Sequence, residues 1–149
     1  MDIFTKEIRS KVMASVRSRG NQSTELALGR LMWKSGLRGY RKQWQVEGRP
    51  DFAWPGLKVA VFVDGCFWHG CGRCRNFPKT NAEFWRNKIE SNKRRDKRVA
   101  RRLRSVGWTV VRVKECGVLL PNTLRKIVEA VETSRRGTAQ KSRRASSVR

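Results

Sequence analysis

Negative charge is what this sequence most lacks. Twelve Asp and Glu stand against 35 Lys and Arg, a formal net charge of +23. Such an excess resists compaction by self-repulsion unless a polyanion screens it, so DNA or RNA is the expected partner. On charge alone ribosome association competes, whereas a membrane surface is disfavoured, because no strongly amphipathic, Trp-anchored basic helix stands out. No apolar run is long enough to span a bilayer, and Met1 to Lys6 lacks an apolar signal core, so a cytoplasmic protein is expected. No internal repeat is visible. Cysteine is sparse, with four in the chain, three of them clustered, and in a reducing cytoplasm such thiols serve as metal ligands rather than disulfides.

What is present suits one domain of 149 residues, 38% apolar, enough to build a core. The first 133 residues keep a charge of +17, so the nucleic-acid reading does not depend on the tail. Ile8, Val12 and Val16 predict a helix over residues 6–18. Leu28, Leu31 and Met32 predict a second over 22–34, ended by Gly36, with Glu25 at the edge of its buried face. Residues 40–46 read as a strand. Residues 51–54 and 57–63 read as a hairpin about Pro55-Gly56, which sets Asp51 opposite residue 60 or 61. Residues 81–105 form a very basic helical pattern, 108–113 a further strand, and Pro121 opens a last helix carrying Leu124, Ile127, Val128 and Val131. The expected architecture is α/β, a mixed central sheet flanked by helices. Its domain covers residues 1–133, and residues 134–149 form a basic, disordered tail.

Three constellations carry chemistry. Cys66-x4-Cys71-x2-Cys74 with the distant Cys116 supplies four thiolates, which suit a closed, structural tetrahedral Zn²⁺ site. His69 lies inside that cluster as a fifth candidate. It either replaces a cysteine or, as the favoured reading, is spare and free for proton transfer. Pro50-Asp51 opens one strand and Asp64 ends the next, a pattern of acids that can hold Mg²⁺ with a backbone carbonyl. A twist or bulge must bring Asp64 to Asp51. The third constellation is aromatic and basic. Phe67 and Trp68 lie within the cysteine loop and Trp85 opens the basic helix, placed to stack on or wedge between bases, at about 1–3 kcal/mol per stacked base. Phe84, Trp33 and Trp108 are assigned to the core. The helix carries ten Lys and Arg between Arg86 and Arg104, and Lys93, Arg94, Arg95, Lys97 and Arg98 are the expected phosphate contacts.

Gly48-Arg49-Pro50-Asp51-Phe52, Val61-Phe62-Val63-Asp64-Gly65-Cys66-Phe67-Trp68-His69-Gly70-Cys71, Lys79-Thr80-Asn81-x-Glu83-Phe84-Trp85, Gly107-Trp108-x-Val110 and Glu115-Cys116 together resemble the very-short-patch-repair (Vsr) DNA mismatch endonucleases. Arg9-Ser10-Lys11-x-Met13 and Thr24-Glu25 fit the same pattern, so the resemblance runs from about Arg9 to Val131. It implies a restriction-endonuclease-like PD-(D/E)XK fold and a nick 5′ to the T of a T:G mismatch, the product of 5-methylcytosine deamination. It implies that Asp51 binds Mg²⁺ with the Val63 carbonyl, that His69 is the general base, and that Glu25 supports the site. It implies that Cys66, Cys71, Cys74 and Cys116 hold Zn²⁺, that Phe67, Trp68 and Trp85 enter the duplex from the major groove, and that Met13 wedges from the minor groove. A monomer acting at the bacterial nucleoid, linked to a cytosine methyltransferase and mismatch-repair proteins, is the biological expectation. Some members have histidine where this chain has Asp64 and Cys71, and Lys114 stands where an aromatic is expected. A restriction-type nuclease on the same fold and a zinc-stabilised DNA-binding module without chemistry are the rival readings.

Overall fold

The structure is a computed structural model that describes Glu7, residues 22–74 and residues 78–147. The helix expected over residues 6–18, apart from Glu7, and Met13, which is expected to wedge into DNA, lie outside the described residues. Helix α1 spans Gln22–Lys34 and buries Leu28 and Met32 completely. It ends as its sequence predicts. Gly36 takes φ +80°, its N–H donates to the Trp33 carbonyl, and the Leu37 N–H reaches back to Met32, while the Leu37 side chain closes over Met32 in the core.

Strand β1 is only Arg41–Lys42, far shorter than the expected 40–46, because Gln43, whose N–H still donates to the Asp51 carbonyl at 3.3 Å, turns into the left-handed region at φ +50° and ends the strand. Strands β2 (Phe52–Trp54) and β3 (Val59–Asp64) form the expected hairpin, joined by a short 3₁₀ turn at Pro55–Leu57 and a left-handed Lys58. This longer connection shifts the pairing from that of a tight turn about Pro55-Gly56. Phe52 faces Val61, so the register carries Asp51 to the level of Phe62, one residue beyond the expected 60 or 61. Helix α2 (Ala82–Ser105) then crosses to strand β4 (Thr109–Lys114), which pairs in parallel with β3 along its whole length. The sheet is mixed and four-stranded, in the order β1-β2-β3-β4.

Alternation along β3 builds two cores. Val59 and Val61 face Leu28, Met32 and the last helix, α3 (Pro121–Ser146), while Ala60 and Phe62 face Leu103 and Val99 of α2. Gly107, at φ +88°, ends α2 as Gly36 ends α1, and the Trp108 N–H bonds the Leu103 carbonyl so that Trp108 packs on the second core. Trp33 and Phe84, both expected in the core, are 56% and 60% exposed. Each sits on the outer face of its helix, and Trp33 instead carries the Arg38 guanidinium 3.6 Å over its ring.

Helix α3 spans Pro121–Ser146, with Thr123, Ile127 and Val131 buried. Helix therefore replaces disorder over most of the basic tail. Low hydrophobicity removed the packing there but not the helix, which carries a Glu132–Arg136 ion pair at 4.0 Å on its surface. Residues 135–147 are exposed throughout. Truncation after Ser134 should change the unfolding free energy by no more than about 0.5 kcal/mol in a denaturant titration. A larger loss would mean that this extension packs on the domain.

Candidate active site and thiol metal centre

Strands β3 and β4 end level with each other, Asp64 beside Lys114. Two residues further along the two chains stand Cys66 and Cys116. Parallel neighbours are about 4.8 Å apart, so strand register alone brings these thiols together. The chain after Cys66 folds back on itself, with the His69 N–H donating to Gly65 (3.2 Å) and the Cys71 N–H to Cys66 (3.0 Å). Gly70 takes φ +58°, and a Cβ there would stand 2.8 Å from Ile89 of α2, so only glycine lets the loop lie this close to the helix. The Sγ atoms of Cys66, Cys71, Cys74 and Cys116 all fall within 4.8 Å of one another, Cys71 and Cys116 at 3.6 Å. Burial pushes the Cys66 thiol up to about 12, while the peptide N–H groups of Arg73 and Cys74 bring Cys71 down to about 6. Four soft donors at this spacing can hold a tetrahedral metal ion, whose charge would favour the thiolate form of each.

His69 does not join the thiols. Its Nδ1 lies 2.5 Å from Asp96 of α2, and its Nε2 lies 3.9 Å from Asp64. Both Asp64 oxygens are taken by Arg112 of β4, Nε to Oδ2 at 2.9 Å and Nη2 to Oδ1 at 2.5 Å, and Nη2 is also 3.3 Å from Asp96. With Asp96 accepting at Nδ1, the imidazole carries its proton there and presents a lone pair at Nε2, the form a general base requires.

Asp51 forms a second centre just across the end of β3. Its Oδ2 accepts the Val63 N–H at 2.6 Å, and its Oδ1 accepts Gln43 Nε2 at 3.3 Å. Glu25 approaches from the first turn of α1. Burial, opposed by the Val63 N–H and reinforced by the Glu25 charge, lifts the Asp51 carboxyl to about 6. Two acids forced together beside a strand-end backbone suit a hard divalent cation, which would relieve their repulsion. Thus Asp51 meets Glu25 and Val63, while Asp64 meets His69. The hairpin does not close Asp64 onto Asp51; the consecutive residues Val63 and Asp64 link the two groups.

The aromatic residues converge. Phe67 stands edge-on to Trp68 and Trp85 at centroid distances of 5.1 and 5.2 Å, Trp68 and Trp85 are 6.1 Å apart, and Phe84 extends the group 5.2 Å from Trp85. The buried Asn92 side chain donates to the Trp68 carbonyl at 3.0 Å and ties this cluster to α2. Lys93, Arg94, Arg95, Lys97 and Arg98 are all exposed along the same helix.

Sequence reading missed four contributors. Asp96 carried a signal, since Ile89, Asn92, Asp96, Ala100 and Leu103 follow helical spacing and place this acid on the inward face of a basic helix. Arg112 carried one too, as a charge set between Val111 and Val113. Glu115, which accepts the Cys66 N–H at 3.2 Å and the Thr24 hydroxyl at 3.4 Å, carried only its place before Cys116. Phe84 was misplaced by its hydrophobicity.

Comparison with known proteins decides the family. The family model described as DNA mismatch endonuclease Vsr matches residues 1–75. The chain is 37% identical over 119 residues to the DNA mismatch endonuclease Vsr of Escherichia coli K12, covering 78% of this chain and 75% of that protein. The chain belongs to the Vsr family. It is also similar to the type II nicking enzymes V.NmeDIP of Neisseria meningitidis serogroup C (47% identical, 75% of this chain and 76% of that one) and V.HpaIIP of Haemophilus parainfluenzae (41% identical, 75% and 81%). A Vsr-type chain is a DNA endonuclease, and the mixed sheet with flanking helices is consistent with the restriction-endonuclease-like fold. Nuclease chemistry of this family implies a divalent metal. Among the described residues no helix is long and apolar enough to cross a membrane.

The raised Asp51 carboxyl has a measurable consequence. Its folded state holds the proton more tightly than the unfolded chain, so this group favours folding at low pH, and the advantage is lost as pH rises from 3.8 through about 6. Above that window the ionised carboxylate costs up to about 3 kcal/mol. Without divalent cations, Asp51→Asn should be more stable than the parent at about pH 7.5, with the gap closing towards pH 4 in parallel urea titrations. Identical curves at the higher pH would show that Asp51 is not held against its ionisation.

Proposed function

We propose that this Vsr-family chain nicks one DNA strand 5′ to the T of a T:G mismatch, by Mg²⁺-dependent phosphodiester hydrolysis. The observation that carries this reading is the adjacency of Trp68 and His69: the aromatic cluster and the candidate base are consecutive residues of one loop. Mismatched steps unstack more cheaply than paired ones, so rings wedged at a step open the mismatch selectively. A strand displaced by Phe67, Trp68 and Trp85 therefore passes directly by His69.

In this mechanism the exposed bases of α2 hold phosphates and set the duplex register, without reading sequence. Asp51 and the Val63 carbonyl hold Mg²⁺, with Glu25 supplying a second negative charge. The ion would polarise the scissile phosphate and lower the cost of its developing charge. His69 Nε2 takes the proton of the attacking water, and Asp96 stabilises the resulting imidazolium through Nδ1. The four thiols hold a structural Zn²⁺ that fixes the wedge and the base relative to the sheet. The chain acts as a monomer at the bacterial nucleoid. Since T:G pairs arise where 5-methylcytosine deaminates, its work is linked to a cytosine methyltransferase and to mismatch repair.

Duplexes that differ only by T:G against C:G at one position test the reaction. Nicking is expected of the T:G duplex alone, with Mg²⁺ and not in EDTA, and Asp51→Ala should end nicking while leaving binding intact. Equal nicking of both duplexes would point to a sequence-reading nickase, and tight binding with no nicking to a DNA-binding module. For the thiol centre, the purified protein should contain about one zinc per chain, as four thiolates require. Cys74→Ser should lose it and expose residues 66–74 to protease; a resistant, zinc-free loop would contradict a metal staple.

A further inference from the structure

Arg112 is a charged residue flanked by valines in the middle of β4. It points to the α2 side of the sheet, where its guanidinium packs on the Phe62 ring with Cζ 4.7 Å from the centroid. Its fork engages both oxygens of Asp64, and the same Nη2 lies 3.3 Å from Asp96. All three side chains are three-quarters buried or more, at 23%, 15% and 15% exposure. A bidentate guanidinium–carboxylate pair is the most directional ion pair available to a protein, and it occupies one lone pair on each Asp64 oxygen. The ligand atoms of Asp64, His69 and Asp96 lie within 4.8 Å of one another, a spacing a metal ion could use. Arg112 already supplies positive charge to both carboxylates of that group, so a divalent ion there would meet its repulsion.

The surroundings indicate what Arg112 is held for. A cavity of about 520 Å³ opens over this cluster, and Lys93, Lys97, Arg101, Arg104 and Lys114 line it together with Arg112. Six cations outnumber the two carboxylates, Asp64 and Asp96, so the cavity favours an anion. Its wall includes His69. An anion seated there therefore lies beside the group that would take the proton.

We propose that Arg112 binds a DNA phosphate at the nicking site, and that Asp64 is the positioning residue that holds Arg112 for this contact rather than a ligand of Mg²⁺. The inference rests on the reading that this chain nicks DNA beside His69. It reassigns the second acid of the strand pair, leaving Asp51 and the Val63 carbonyl as the metal ligands.

Binding of a T:G duplex in EDTA separates the roles, because no metal takes part. Fluorescence anisotropy should show Arg112→Gln binding about tenfold more weakly, with the slope of log K against log salt reduced by about one. Arg112→Lys, which keeps the charge but loses the fork, should retain the slope and lose part of the affinity. Asp64→Asn should weaken binding in the same direction, and the double variant should bind no more weakly than Arg112→Gln, because the two residues act as one unit. In nicking assays Asp64→Asn should raise KM more than it lowers kcat and leave the Mg²⁺ concentration for half-maximal rate within about twofold of the parent. Two results would overturn the proposal: unchanged EDTA binding by both Arg112 variants, or an Asp64→Asn protein that binds DNA normally and needs about tenfold more Mg²⁺. If the parent nicks T:G duplexes while these binding arms fail, this inference falls and the nicking reading stands. If the parent nicks nothing, the binding arms still decide the phosphate contact.

Discussion

The parallel, in-register pairing of β3 with β4 is the constraint on which the rest of the structure depends. Six consecutive pairs, from Val59–Thr109 to Asp64–Lys114, place the two strand ends at one level. Cys66 and Cys116 each follow two residues later, so the sheet brings two of the four thiols together before any loop is considered. The same pairing fixes which side chains share a face. Phe62, Asp64 and Arg112 all point towards α2, whose inward stripe delivers Asp96 to His69 and Asn92 to Trp68. A slip of one residue between β3 and β4 would turn Arg112 to the opposite core and separate the two cysteines. The register is protected by burial, since Val59, Ala60 and Val61 are completely enclosed and a slip would exchange the faces of the sheet.

Charge is distributed with the same economy. Of only twelve acids in the chain, Glu25, Asp51, Asp64, Asp96 and Glu115 gather around the end of β3. Each has a defined partner there: a peptide N–H for Asp51 and Glu115, a guanidinium for Asp64, an imidazole for Asp96, and the Asp51 carboxyl for Glu25. The basic excess lies outside this group, on α2 and along α3. A long-range positive field draws a polyanion to the surface, while a short-range negative pocket draws a cation to one point beneath it. Phosphodiester hydrolysis needs both signs within a few ångströms, and the concentration of scarce carboxylates at one strand end is how a strongly basic chain provides them.

Much of this was legible in the sequence because the signals are local. Gly36 and Gly107 mark helix ends through left-handed conformations that other residues resist, and both helices stop where these glycines demand. The cysteine spacing and the aromatic block of the loop are also local, and the rings of Phe67, Trp68 and Trp85 do meet. What was not legible depends on pairing between distant segments. The position of Asp51 turns on a connection at Pro55–Leu57 longer than a two-residue turn, a difference that no hydrophobic pattern reports. The Asp64–Arg112 pair spans 48 residues and exists only through strand register. Phe84 and Trp33 show the converse limit: composition places large rings in a core, but helical phase placed these two on the outer face, where a partner of another kind is available. The tail shows that weak hydrophobicity and weak helicity are separate properties, since the helix continues to Ser146 although residues 135–147 are exposed.

The thiol centre and the aromatic cluster belong to a single mechanical unit. On the mismatch-nicking reading the rings act as a wedge, which can discriminate a mismatched step from a paired one only by the few kcal/mol that separate their unstacking costs. A loop that yielded under that load would spread the difference over its own conformers and lose it. Residues 66–74 are too rich in glycine to resist alone, and no strand or helix runs through them. Their stiffness comes from three attachments to rigid elements: the thiols to the turn after β4, Glu115 to the Cys66 peptide, and Asn92 to the Trp68 carbonyl. Because His69 lies between the wedge and Cys71, whatever holds the rings also holds the imidazole against Asp96. A force that displaced Trp68 would therefore move His69 away from its orienting carboxylate. On the mismatch-nicking reading, a step that resists opening would leave the base misaligned, so discrimination and catalysis are coupled through one short, cross-linked stretch of backbone.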